Sequence, residues 1–481
     1  MAIIKDIKVT MSGGKAIPGS MVFRSLLMGT AAVEKPITII HQADWSNEML
    51  AEGYTVNDTE YKMVSKYFLP AVDTKIVVDD IAVGRKKNSD SWTTALNAMT
   101  FDNFWLLMVT PGQSKAALQE IGDWAAAQED PGHFFLGTIN DVTIGAARAN
   151  SREAYLVYDK ATTKGYQTIS SKPTPFVGTV VPALASATYD LDVTVDGGTL
   201  RQLATPLLVS DTWTSIASKI QVRLRAATSG QELVTIEKGK IKITSGTTGT
   251  GSSILIAEGT AGNTPLLGAI DALTGYKTKI DSAVQGTETF PDIEVASRKI
   301  GYKPYFTWKW KQVRAATAGY TYSELTTIRT NNTFTISTVG RGSSKINFTN
   351  EGNTTKHGEY IDLTCGCDMI KEQLKDAYYT LVLNNERIGM GNIGLGQVET
   401  TLRNVLSQWG ENGFIMALTA ESSDEDRSKS DNGKYMYKLD IPKRNAISIA
   451  DRTARILKNV KFTFTVTGAI HEITVNGYFE V

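Results

Sequence analysis

The chain predicts an α/β and α+β multidomain protein, and three observations carry that expectation. Its 481 residues exceed what a single hydrophobic core organises, so two to four domains are expected. Apolar runs and helical stripes alternate from about Val22 to Asp159, the pattern of a βαβ unit with parallel strands. Beyond Val181 the composition turns to Thr, Gly, Ser and Ala, and beyond Gly358 two helical stripes give way to strands of period two.

Taken in order, Ile3 to Thr10 reads as a strand with Ile7 and Val9 on one face, followed by the flexible Ser12-Gly13-Gly14. Lys75 to Val78 is a short apolar strand and Trp92 to Met99 begins a helix. Phe104 to Val109 is a continuous apolar run, the mark of a strand buried on both faces. Thr110-Pro111-Gly112 turns it, and Ser114 caps a helix that carries Ala117, Leu118, Ile121, Trp124 and Ala125 on one side. Phe134-Phe135-Leu136 and Ala154 to Tyr158 are further buried strands, completing an α/β domain over 21–180. Lys172-Pro173-Thr174-Pro175 and Val181-Pro182 break the pattern.

A small α+β module is expected over 181–285. Tyr189, Leu191, Val193 and Val195 alternate and end at the hairpin signal Asp196-Gly197-Gly198. Trp213, Ile216, Ala217, Ile220 and Leu224 share one helix face, with Ser210 or Asp211 as cap, and Val234/Ile236, Ile241/Ile243 and Ile254/Ile256 mark three strands. Residues 286–355 return to complete the α/β domain through strands at Trp308-Lys309-Trp310 and Phe334-Thr335-Ile336. The last domain, 356–481, opens with the apolar run Tyr360 to Leu363. A helix from Asp368 to Asn384 follows, capped by Asp368 and bearing Ile370, Leu374, Ala377, Tyr378 and Leu381. A second stripe of Val398, Leu402, Val405, Leu406 and Trp409 is stopped by Gly410 and Gly413. After a solvated loop over Ala420 to Lys438, Phe462, Phe464 and Val466 alternate with Thr, and Ile473, Val475, Tyr478 and Val481 close the chain on a β-prone run. Such a run needs a partner strand, and that partner can belong to another copy.

Fifty basic and fifty acidic side chains cancel, against a nucleic-acid or anionic-membrane surface as main partner and in favour of self-association. Two cysteines exclude a disulfide framework. Early charges at Lys5 and Asp6 and a short apolar stretch argue against a signal peptide, so a protein soluble in a reducing cytoplasm is expected. No run approaches the roughly 20 apolar residues of a membrane helix. Gly389-Met390-Gly391-Asn392-Ile393-Gly394 spells G-x-G-x-x-G, but a helix and not a strand precedes it and no ribose-binding acid follows; it reads as a link, and no cofactor is expected. Cys365-Gly366-Cys367, near His357, Asp362 and Asp368, lacks the second ligand pair of a structural zinc site and reads as two small residues leading into a helix. The Gly246 to Gly251 loop lacks the Lys-Ser/Thr of a phosphate cradle, and none of the four histidines stands in a triad-like context. No catalytic or metal residues are expected.

Gly358-Glu359-Tyr360-Ile361-Asp362, the two helices, the Gly-rich link and the closing Gly468-Ala469-Ile470-His471-Glu472-Ile473 resemble the C-terminal domain of contractile bacteriophage tail sheath proteins. The module over 181–285 resembles the small domain inserted in many of them. The resemblance implies a C-terminal sheath core domain, an N-terminal arm over 1–20 and a C-terminal strand arm. Ile3, Ile4, Ile7, Val9, Ile473, Val475, Tyr478 and Val481 would then be lent to neighbouring subunits. It implies self-assembly as stacked hexameric rings in a helical lattice around a tail tube, with baseplate and tail terminator as further partners and contraction to drive the tube through a host envelope. The virion, assembled in the host cytoplasm, is the implied location. Lys371, Lys375 and Asp376 on the polar side of the first C-terminal helix would face the tube, or else are ordinary solvated charge. A tube or baseplate subunit of a virion is the alternative, and an enzyme using the βαβ region with a nucleotide or sugar is a third class.

Overall fold

The computed structural model describes residues 23–469 and His471, apart from 70–77, 102, 129–131, 159–163, 248–250, 285–288, 316, 318 and 341–344. The expected arm residues Ile3, Ile4, Ile7, Val9, Ile473, Val475, Tyr478 and Val481 lie outside these, as does the strand at Lys75 to Val78 except for Val78 itself. The chain divides into one unit formed by Met1–Tyr158 with Phe290–Val481, and a second formed by Asp159–Thr289.

The first unit begins with β1 (Ser25–Ala31), β2 (Lys35–His41), α1 (Trp45–Ala51), α2 (Thr59–Tyr67), β3 (Asp80–Lys87), α3 (Trp92–Ala98), β4 (Leu106–Val109), α4 (Lys115–Ala127), β5 (Phe134–Ile139) and β6 (Glu153–Val157). The strands form a six-stranded sheet in the order β2-β3-β1-β4-β5-β6, parallel throughout except for the edge pair β2–β3. The buried apolar run behaves as its composition predicts: all four residues of β4 are buried, because helices cover both faces of the sheet. Leu26, Leu107, Phe135 and Tyr155 face a core shared with Trp92 and Leu96 of α3 and with Leu118, Ile121 and Trp124 of α4. Ser114 caps α4 by accepting from the Ala117 amide at 3.2 Å, as expected.

The second unit contains β7 (Tyr166–Ser171), β8 (Ala187–Val195), β9 (Leu200–Leu207), α5 (Trp213–Thr228), β10 (Leu233–Glu237), β11 (Lys240–Thr244), β12 (Ile254–Glu258), β13 (Thr264–Pro265), α6 (Leu266–Asp271) and β14 (Thr278–Ile280). Two small sheets, β10-β11-β7-β14 and β12-β8-β13 with β9 on β8, enclose one core with α5. The turn between β8 and β9 has Asp196 and Gly197 at φ 52° and 66°, the left-handed pair of a tight hairpin, and the Gly198 amide donates to the Val195 carbonyl at 2.9 Å. The cap of α5 is Thr212, not Ser210 or Asp211: Thr212 accepts from the Ser215 amide, while Asp211 accepts from Leu208, Ser215 and Lys219. Strand β7 falls before the expected boundary at residue 181, yet all its sheet partners are in this unit. Where the chain enters and leaves, Tyr166 and Val284 exchange both backbone hydrogen bonds at 2.8 Å.

The first unit resumes with α7 (Pro291–Ile300), α8 (Tyr322–Thr330), β15 (Ile336–Val339), β16 (Ile346–Thr349), α9 (Ile361–Leu383), α10 (Asn392–Glu411), α11 (Asp424–Ser428), β17 (Tyr437–Asp440), α12 (Ile449–Thr453) and β18 (Lys461–Phe464). Helix α7 packs beside α2 on the sheet face opposite α3 and α4, where Ser297 donates to the Tyr67 carbonyl at 2.7 Å. The return also reaches the sheet directly, for Phe334 bridges Leu156 of β6 in parallel. The expected strand at Trp308 to Trp310 is instead a turn. Trp308 is fully buried and donates to the Pro304 carbonyl at 2.9 Å, while Trp310 sits at φ 62° with half its surface exposed, so alternating aromatics there reflect a kink and not a pleat.

Candidate functional site

The surface most open to a function lies in the last part of the chain, where a helix pair and a two-stranded sheet share a core. The apolar spacing after Ile361 sets this up. Ile370 and Leu374 of α9 meet Leu402, Val405, Leu406 and Trp409 of α10, and the core continues through Phe414, Ile415, Tyr435 and Tyr437. Trp409 donates to Gln373 at 2.6 Å across the pair. Gly366 allows the close approach: a Cβ there would stand 2.2 Å from the Phe414 ring, so that ring packs directly on the α9 backbone.

Helix α9 starts seven residues earlier than Asp368, at Ile361, so the run Tyr360 to Leu363 is its first turn and Cys365 and Cys367 lie inside it. Asp368 is not its cap. It is a buried anchor that accepts from Trp105, just ahead of β4, at 2.8 Å and forms a bidentate ion pair with Arg152, whose second contact is 2.9 Å. Glu372 and Lys375 pair at 2.8 Å with both side chains largely buried, so Lys375 is not on a solvated polar face. Lys371 and Asp376 are half-buried. Of the three expected tube-facing residues, then, none is fully exposed within the subunit.

Near the start of α9, burial pushes the Asp362 carboxyl up to about 6 and the Lys299 ammonium down to about 7. Among the described residues no group of three His, Cys, Asp or Glu side chains is placed to hold a metal ion. Gly391 is the N-cap of α10, so the Gly-rich link runs straight into that helix, and Gly394 packs on the Gly389 carbonyl.

Two features at this end of the molecule are unfinished. The first is the sheet: β17 and β18 pair antiparallel with each other over four residues, flanked by single bridges Ile415–Val466 and Ala417–Tyr435. Among the described residues that sheet has two strands, which is marginal alone and leaves an edge able to accept another strand. The second is an apolar groove of about 410 Å³ between the helix pair and the segment before β18, lined by Leu381, Met390, Leu395, Leu402, Leu457 and Phe462. At the tip of the helix pair Leu383 and Ile393 are 67% and 85% exposed, far above core levels.

Beyond β18 the chain crosses exposed Thr467, Gly468 and Ala469 and lands on His471. The ring of His471 stands edge-on to Tyr360 with centroids 4.4 Å apart, Nε2 lies 3.3 Å from the Thr307 hydroxyl, and Nδ1 lies 3.7 Å from Glu351. Glu351 is itself held by Lys309 at 2.7 Å and by Arg329 at 2.9 Å. Burial and the nearby Lys309 hold the imidazole below its ordinary pKa, with Glu351 opposing them. Neither the Asp368 anchor nor this clasp is legible in sequence, because each joins residues hundreds of positions apart or polar residues of unremarkable local pattern.

No family model matches this sequence, and no curated protein matches it. Solved structures do match in fold. The chain aligns over 100% of its length with 99% of the sheath protein in a contracted-state sheath complex of an extracellular contractile injection system (PVC), at 10% identity and TM-score 0.50. It aligns over 99% of its length with 99% of a chain of the contracted helical sheath of the anti-feeding prophage, at 11% identity and TM-score 0.50. The mixed α/β fold of this chain is similar to the fold of those sheath chains.

Proposed function

We propose that this chain is the subunit of a contractile sheath, which polymerises in stacked rings around a rigid tube, joins a baseplate at one end, and shortens to drive the tube into a target envelope. The observation that supports the reading is the likeness of fold to two contracted sheaths, over 100% and 99% of this chain. A phage tail is the context we favour, with the rings six-fold and the particle assembled in the host cytoplasm.

The open two-stranded sheet supports a route to assembly. Arms carrying Ile3, Ile4, Ile7 and Val9 at one end and Ile473, Val475, Tyr478 and Val481 at the other would be lent to neighbours and add strands to it. Each backbone hydrogen bond so formed contributes about 1 kcal/mol net, and many repeated contacts make an open helical lattice. Work would then come from repacking of the lattice between two arrangements, with no nucleotide required. In this reading the tube is met by the C-terminal helices, where Lys371 and Asp376 remain the candidate contacts and Lys375 acts from within by its pair with Glu372.

Negative-stain and cryo-electron microscopy of the purified protein test the proposal. Hollow cylinders with six subunits per ring are expected, at a bore wide enough to hold a tube. Solid narrow fibres or persistent monomers under all conditions that polymerise related sheaths would overturn it.

A further inference from the structure

The stretch 441–461, which joins β17 to β18, carries Lys443, Arg444, Arg452, Arg455, Lys458 and Lys461 against a single acid, Asp451. All six bases are exposed except Arg452, which is half-buried. Among the described residues only Lys458 of the six has an ion-pair partner, Asp451 at 2.6 Å. The same stretch leaves Ile449, at the start of α12, and Ile456 at 75% and 46% exposed, so it is more than a solvated run of charge: it holds apolar groups that gain by being covered.

The chain enters β17 from the opposite sign. The excursion 421–431 around α11 carries Glu421, Asp424, Glu425, Asp426 and Asp431 against Arg427 and Lys429. Lys429 reaches Glu425 at 2.8 Å and Asp426 at 3.8 Å, while the Arg427 guanidinium is turned onto the Thr419, Ala420 and Ser422 carbonyls. Glu421, Asp424 and Asp431 have no cation partner among the described residues, and no ion pair there joins the acidic excursion to the basic stretch within one subunit.

A single exposed ion pair is worth little, but a whole surface that meets one of opposite sign steers and orients an encounter. This chain has no net charge, so a basic surplus in one place is matched by an acidic surplus elsewhere on every copy. The two surfaces differ from each other, which makes their contact heterologous: each subunit offers one and takes the other, and association propagates without closing on a pair. We propose that the basic stretch 441–461 of one subunit docks on the acidic excursion 421–431 of a second copy, covering Ile449 and Ile456 at the contact. Its place in a sheath lattice rests on the contractile-sheath reading; the docking itself does not.

Nitrogen-15-labelled and unlabelled full-length chains would be mixed, allowed to associate and treated with a carbodiimide, which condenses a carboxylate only with an amine touching it. Mass spectrometry is expected to find peptide pairs of mixed isotope that join the acids of 421–431 to Lys443, Lys458 or Lys461. Pairs of one isotope only, or no such pairs, would overturn the docking. Charge reversal gives a second measure. Lys443→Glu/Arg444→Glu/Arg455→Glu and Glu421→Lys/Asp424→Lys/Glu425→Lys change exposed positions alone, so each should keep the wild-type circular-dichroism spectrum. Each should weaken self-association in sedimentation velocity about tenfold or more. An equimolar mixture of the two should recover it, because the reversed surfaces complement each other. Unchanged association of either variant alone, or a mixture that stays as weak as its components, would count against the contact. Mixed-isotope pairs from particles that are not hollow cylinders would remove the sheath reading and leave the docking; cylinders without such pairs would do the reverse.

Discussion

Asp368 shows how one residue can be misread by a local rule and still matter more than the rule suggests. An acid just ahead of an apolar helical stripe reads as a cap, but the stripe continues upstream through Cys365 to Ile361, so the helix engulfs it. Its partners, Trp105 and Arg152, lie 263 and 216 residues away, a separation at which no spacing argument operates. Replacing it leaves a guanidinium and an indole N–H without their acceptor in a largely buried place. Asp368→Ala is therefore expected to lower the unfolding free energy of the first unit by about 3–5 kcal/mol, measured by denaturant titration of the unassembled chain. Asp292, in the first turn of α7, makes the opposite case. Its carboxyl is fully enclosed, accepts from the Ile293 amide at 2.9 Å through one oxygen, and is pushed up to about 7 by burial. A carboxyl raised in the folded state gives a stabilisation that is complete below its unfolded value near 3.8 and lost as pH rises through about 7. Asp292→Asn, which stays neutral, should gain on the wild type as pH rises from about 4 to about 7. The gain, a few kcal/mol in order of magnitude, should level off above that, and unfolding titrations at pH 4.5, 6 and 7.5 would trace it.

At the scale of elements, legibility follows the length of the pattern. The helices α4, α5, α9 and α10 and the strands β4, β5, β6 and β8 are visible because each repeats one period long enough to outvote its neighbours. The ends are not. Helix α10 runs through Gly410, although Gly is a common stop, because the Tyr435 ring packs onto that position at a distance where a Cβ would stand 2.4 Å from it. The pair β17–β18 tests the proposed role of the last element. A sheet of two strands held by four residue pairs gains little by itself and stands to gain from a third strand. Deleting Ile470 to Val481 should leave a folded, monomeric chain with unfolding behaviour close to the full-length one and no polymer in sedimentation or micrographs. Normal cylinders from the truncated chain would show that lending of this end is not what joins subunits.

For the whole molecule, the sequence carries the order of parts better than their borders. A change of composition marks the second unit, but its first strand, β7, lies ahead of the Lys172-Pro173-Thr174-Pro175 break, so the border reads late. The paired residues Tyr166 and Val284 predict the outcome of removing that unit. Excising Tyr166 to Val284 and joining Gly165 to Gln285 should give a chain whose remaining unit keeps its helical circular-dichroism signal and a cooperative unfolding transition, since the six-stranded sheet draws no strand from the excised part. Aggregation of that product without a cooperative transition would mean that the first unit depends on the second to fold. Antiparallel neighbours that exchange both hydrogen bonds hold their Cα atoms about 5.5 Å apart. That spacing makes the junction a socket: a foreign domain whose own termini emerge side by side, such as an affinity binder or a fluorescent reporter, can be spliced there as a cassette in place of the second unit.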